Sequence, residues 1–192
     1  IPPEIREGDG EIESALKGNL PKLLELNDIK GDLQVHSNWS LDGINSVSEI
    51  AEYARKKGYG YVGITDHQLS SETHSVSNIT SEINRRKRII ENISYSYSNF
   101  RVLNGIELLI RANGELSYPN EVLKLFDYVL VSIHSGFNQD RKQNTRRITA
   151  ALRNKFITGL AHPTTRLINV RDEIEADWDE IFHVCALENK LI

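Results

Sequence analysis

Four of the chain's six histidines each close a short apolar run: His36 in GDLQVHS, His67 in YVGITDH, His134 in YVLVSIH and His162 in ITGLAHP. A fifth run, FRVLNGIE, closes on an acid, Glu107. Imidazole nitrogens and carboxylate oxygens are ligands that zinc, manganese and iron accept. A carboxylate at the end of a buried run is costly unless a cation compensates it. One histidine in such a place is ordinary; four in matching places form a pattern. If the runs are parallel strands, their C-terminal ends converge on one rim. That rim is where strand-and-helix barrels build their active sites.

Further candidates surround these five. Side chains two apart on a strand share a face, so Gln34 and His36 point the same way. Glutamine is neutral and a poor ligand for transition metals, so the pair is a weakened His-x-His clamp. Asp42, in NWSLDG, is a turn aspartate by position and a candidate ligand by type. Asp66 is expected to face away from the centre, where it would either orient a neighbouring imidazole or cap a helix. Arg166, shortly after His162, is a candidate phosphate clamp or a solvated loop residue. His74 and His183 read as structural or surface residues. Arg85-Arg86-Lys87-Arg88 reads as a solvated helix face, with a nucleic-acid patch as the lesser alternative. Arg141-Lys142 and Arg146-Arg147 read similarly, although they follow His134 closely enough to reach a bound strand. The chain has no P-loop, no G-x-S-x-G elbow and no C-x-x-C pair, which removes P-loop nucleotide hydrolysis, serine hydrolysis and a zinc ribbon.

The elements that must position these groups alternate between strand and helix. Strands are expected at Asp32–His36, Tyr61–Thr65, Arg101–Ile110, Tyr128–Ile133 and Ile157–Ala161. Ser46-Val47-Ser48-Glu49 is a capping box opening a helix that Gly58 stops. Helices are also expected over Ser77–Tyr95, from Pro119, over Thr145–Arg153 and after Asp177. Asn113-Gly114 marks a tight turn. This order implies a mostly parallel sheet, as a barrel or as an open doubly wound sheet. Ligand candidates after nearly every strand favour the barrel. A further strand is expected to begin at Leu191. Residues 1–28 differ in texture, with Pro2-Pro3 and two short helical pieces at Glu11–Lys17 and Pro21–Leu26, and read as a linker arm before a domain at 29–192.

The chain has 192 residues, 39% hydrophobic content and a net charge of −4. That is long enough to bury one real core. It argues against strong nonspecific nucleic-acid binding by this piece alone. No apolar stretch approaches membrane-spanning length, and no secretory leader is expected. A single cysteine, Cys185, excludes an internal disulfide and suits a cytoplasmic, reducing compartment. The chain has no methionine, even at position 1, and reads as an excised piece of a longer protein.

The segments GDLQVHS, WSLDG, YVGITDH, LNGIE, VSIHS and AHPTTR resemble the PHP (polymerase and histidinol phosphatase) family. The opening, IPPEIREGDGEIESALKGNLPKLLELNDIKGD, resembles the stretch that joins the polymerase part of bacterial and archaeal family X DNA polymerases to their C-terminal PHP domain. The resemblance implies an α/β fold, a TIM-like (β/α)7 barrel truncated here at its C-terminal end. It implies up to three divalent ions, zinc, manganese or iron. One would be held by positions 34 and 36, Glu107 and a late aspartate; a second by Glu107, His134 and His162; a third by Asp42, His67 and a late histidine. The chain departs from the pattern at Gln34, at Leu41, which looks inserted before Asp42, and at Thr165, where the family has glycine. The implied chemistry is metal-assisted phosphoester hydrolysis, with Glu107, His134, His162 and Arg166 catalytic. The implied partners are DNA and the polymerase region.

Three functions compete. The domain is a phosphoesterase acting on DNA ends, a catalytically degenerate scaffold beside a polymerase, or a phosphatase for small esters such as histidinol phosphate. An incomplete barrel also exposes a strand edge, so self-association is expected.

Overall fold

The computed structural model describes residues 1–192. It divides into two compact units, Ile1–Lys30 and Gly31–Ile192. In the first, 3-10 turns at Pro3–Ile5 and Leu26–Asp28 flank helix α1, Glu11–Leu16. The helix expected over Pro21–Leu26 does not form; residues 21–25 have no regular structure and Leu24 and Leu26 stay exposed. Glu25 and Asp28 instead form a capping box on the turn at Leu26–Asp28, so helical structure begins only at Leu26.

The second unit carries strands β1 (Gly31–Val35), β2 (Tyr61–Ile64), β3 (Arg101–Leu109), β4 (Tyr128–Ser132) and β5 (Gly159–Leu160). All neighbours pair in parallel, and their spatial order is their chain order. Every crossover therefore moves in the same direction. Right-handed crossovers then place all the helices on one face. That is single winding, the way a barrel is built, and it excludes the doubly wound alternative. β3 pairs β2 through Arg101–Asn104 and β4 through Gly105–Leu109. This stagger is the shear that lets a sheet curl.

The helices are α2 (Val47–Lys56), α3 (Val76–Tyr95), α4 (Asn120–Leu123), α5 (Arg141–Leu152) and α6 (Trp178–Glu188). Ser46 and Glu49 form the expected capping box on α2, and Asp177 caps α6. α5 begins four residues before the expected Thr145, because Asp140 and Gln143 form a second box that sequence reading overlooked. Under the helices lie two buried clusters. One joins Ile79, Ile106, Leu108, Val131, Ile148 and Ile181. The other joins Val47, Ala51, Val62, Ile64, Ile90 and Val102. The opposite, inner face buries Tyr128, Leu130 and Ala161 against Leu33 and Leu103. The fold is an α/β TIM-like half-barrel of five parallel strands.

Tyr128 plugs the inner face. Its phenol donates to the Leu33 carbonyl at 2.7 Å. A Cβ on Gly63 or Gly105 would collide with that ring, which explains glycine at two strand positions where it otherwise weakens pairing. β5 is shorter than expected, since Ile157 is still bonded in a turn to Asn154. Beyond it, Leu191 pairs in parallel with Gly159 and opens a sixth strand position. No helix is long and apolar enough to cross a membrane.

Candidate metal centre

Parallel pairing brings all five strand ends to one rim. His36 directly follows β1, His134 lies two residues past β4, and His162 two past β5. His67, three past β2, is held beside Glu107 by an isolated parallel bridge. The four imidazoles form an arc in strand order. Ring centroids are 4.6 Å apart for His36 and His67, 5.3 Å for His67 and His134, and 5.2 Å for His134 and His162. His162 has φ 28°, in the left-handed region. Ala161 already points to the inner face, so simple alternation would turn His162 outward. The left-handed twist turns it back, at a strain of about 1–3 kcal/mol typical of such residues.

Glu107 is the hub, with 1% of its surface exposed. Its Oε1 lies 2.7 Å from His134 Nε2 and 2.9 Å from His162 Nε2. Its Oε2 lies 3.3 Å from His36 Nε2 and accepts from Gln34 Nε2 at 3.1 Å. Burial pushes this carboxyl's pKa up, but hydrogen bonds from His134, His162 and His36 outweigh burial and hold it well below the usual carboxylate range. The same contacts raise the pKa of His36 and of His162 above the ordinary 6.5, in each case chiefly through the hydrogen bond to Glu107 and against burial.

Asp42 closes the arc from the far side, with Oδ2 at 3.2 Å from His67 Nε2 and 3.7 Å from His36 Nδ1. Leu41, the apparent insertion, is fully exposed and does not displace Asp42 from the site. Two sets of ligand atoms lie mutually within 4.8 Å, close enough to share a cation: His36, Asp42 and His67, and His67, Glu107 and His134. His162 reaches the second set through Glu107 Oε1. The donor set fits a divalent metal of the zinc, manganese or iron kind. The buried Nδ1 of His36 supports the fit, because it faces Asp42 without any hydrogen-bond partner.

The family model described as PHP domain matches residues 32–186. The chain belongs to the PHP family. It is 42% identical over 191 residues to the DNA polymerase/3′-5′ exonuclease PolX of Bacillus subtilis, covering 98% of this chain and 32% of that protein. It therefore spans about a third of that relative's length. It is 27% identical over 139 residues to a probable phosphatase of Acetivibrio thermocellus, covering 69% of this chain and 53% of that one. Among solved structures, the histidinol phosphate phosphatase of Lactococcus lactis, complexed with zinc, L-histidinol and phosphate, superposes with a TM-score of 0.53. The identity there is 16%, over 84% of this chain and 71% of that one. At that identity the likeness speaks for the fold.

Thr165, the residue at which the resemblance implies glycine, has a φ of 55°, a conformation that favours glycine. Several neighbours differ from what sequence reading expected. Asp66 neither orients an imidazole nor caps a helix. It accepts from Ser37 N at 2.6 Å, from Ser37 Oγ at 2.9 Å and from Arg86 Nη1 at 2.8 Å. Arg86 is therefore not part of a solvated face; it is 5% exposed. Arg147, also buried, donates to the carbonyls of Ser135 and Gly136, just past His134, and is not free for a nucleic acid. Ser40, absent from the candidates, accepts from the His67 backbone at 2.7 Å. Arg166 sits exposed on the loop after β5, and its guanidinium makes no hydrogen bond. His74 and His183 are exposed, as expected.

Proposed function

We propose that this chain is a divalent-metal-dependent phosphoesterase domain that, in its parent protein, hydrolyses phosphodiester bonds at DNA 3′ ends or abasic sites. The reading rests on one observation: four imidazoles and Asp42 gather around a single buried carboxylate, Glu107. Glu107, His134 and His162 would hold one ion, and His36, Asp42 and His67 would contribute to another. A bound divalent cation supplies Lewis acidity, lowering the pKa of water and neutralising charge on a phosphoryl group.

The chain's own residues do the rest. Gln34 and the histidines fix both oxygens of Glu107. The strained turn at His162 aims its ring inward. Arg166, exposed and unpartnered, is available to grip a phosphate through its two-pronged fork. DNA as substrate is supported by the 42% identity to the Bacillus relative, whose name couples a polymerase with a 3′-5′ exonuclease. The polymerase region of the parent would then supply most of the grip on DNA.

The test compares nucleotide release from a single-stranded oligonucleotide with phosphate release from histidinol phosphate, both with Mn2+, in the complete parent protein. Nucleotide release that is lost in Glu107→Gln is the expected result. Release of phosphate from the small ester alone would refute the DNA reading and leave a small-ester phosphatase.

A second reading has its own observation. Gln34 occupies a ligand position with an amide that donates to Glu107, and amides are poor transition-metal ligands. A degenerate scaffold would fold normally, bind metal weakly and release neither product.

A further inference from the structure

We propose that Arg86, on the face of α3 turned toward the sheet, is a positioning residue that holds three ligand-bearing strands at once. This rests on the metal-centre reading above and goes beyond it by naming what holds the centre in shape. The guanidinium donates from Nη1 to Asp66 Oδ2 at 2.8 Å, and from Nε and Nη2 to Asn104 Oδ1 at 3.1 and 2.7 Å. Nη2 also donates to the Gly105 carbonyl. Asp66 passes the contact on, accepting from the backbone and hydroxyl of Ser37.

Each contact lies beside a ligand candidate. Ser37 follows His36, Asp66 precedes His67, and Gly105 sits two residues before Glu107 on the same face of β3. One planar fork thus ties the ends of β1 and β2 to the middle of β3. Arg86, Asp66, Asn104 and Ser37 are all buried. A buried charge pair is a poor route to stability, because desolvation offsets the Coulomb gain and packed apolar residues do as well. What the network provides instead is direction. Arginine's five donors in a rigid plane fix three partners at once, which lysine's single ammonium cannot do.

The test measures Zn2+ affinity by calorimetric titration and the Co2+ absorption spectrum, which reads coordination geometry without any turnover. The variants are Arg86→Met, Arg86→Lys and the control Ile90→Ala. Ile90 is 1% exposed on the same helix, belongs to the apolar cluster with Val62 and Val102, and has no polar group to join the network. Arg86→Met is expected to weaken Zn2+ binding by about tenfold and to change the Co2+ spectrum. That is the low end of what outer-shell hydrogen bonds contribute, because its partners neighbour the ligand candidates in the chain and do not bond their rings. Arg86→Lys should fall between. Ile90→Ala should lower Tm yet keep the parent's affinity and spectrum. Should Arg86→Met not fold, Ser37→Ala cuts the same chain more gently and must still weaken binding. The proposal fails if folded Arg86 or Ser37 variants match the parent, or if Ile90→Ala loses as much affinity. A parent chain that binds neither ion overturns the metal-centre reading itself, and this assignment with it.

Discussion

The side-chain amide of Gln34 donates to Glu107 Oε2 over 3.1 Å, on the same oxygen that faces His36 Nε2 at 3.3 Å. An amide nitrogen has no lone pair to give a metal, so this contact orients Glu107 without adding a ligand. Replacing it with an imidazole restores a donor at the same strand position. Gln34→His should tighten Zn2+ binding by about tenfold, equivalent to ~1.4 kcal/mol. Calorimetric titration of parent and variant decides this, and equal affinities would show that position 34 lies outside the coordination shell.

Glu107 and its histidines predict opposite pH dependences with and without metal. The raised pKa of His36 and His162 contributes stability that is full below their ordinary 6.5 and is lost as pH rises through the raised values. The lowered pKa of Glu107 contributes stability that is full above its ordinary 4.5 and is lost in acid. With EDTA present, the cluster therefore stabilises most between pH 4.5 and 6.5. Zinc must displace those imidazole protons, so zinc-dependent stabilisation should grow as pH rises toward 8. Thermal melts across pH with EDTA and with Zn2+ give the two curves. Glu107→Gln should flatten the first and abolish the second.

Tyr128 and the glycines beneath it should couple. Gly63→Ala forces a methyl into the phenol and is expected to cost about 1–3 kcal/mol or more by overpacking. Tyr128→Phe loses the bond to Leu33 and should cost about 1 kcal/mol. The double variant should be more stable than the sum of the two losses, because removing the hydroxyl takes away the closest of the clashing atoms and leaves only the ring edge to shift. Chemical denaturation of the four proteins measures the coupling, and strict additivity would count against this packing.

β1 is an edge strand, and its Gln34 N–H is blocked by Asp32 Oδ1 at 2.9 Å. A side chain that satisfies an edge amide removes a docking point for another strand. Asp32→Ala should increase concentration-dependent self-association, read by sedimentation velocity. An unchanged profile would mean the edge is protected in some other way.

Much of this was legible in the residues themselves. The apolar runs ending in His36, His67, Glu107, His134 and His162 specified strands whose ends share a rim, because burial demands apolar side chains and function leaves its polar groups where burial stops. The capping residues Ser46 and Asp177 marked helix starts for equally local reasons. What eluded sequence reading was long-range. Arg86 sits in a basic run that looks solvated, and only the packing of α3 on the sheet turns it inward to Asp66, 20 residues away in sequence. Arg147 was misread for the same reason. The inward turn of His162 depends on a backbone angle that no side-chain pattern encodes. Sequence alone therefore determined which groups stand at the strand ends, since periodicity is a local property. Tertiary structure decided which of them share an oxygen of Glu107 and what holds them there, since charges and turns take their partners from distant parts of the chain.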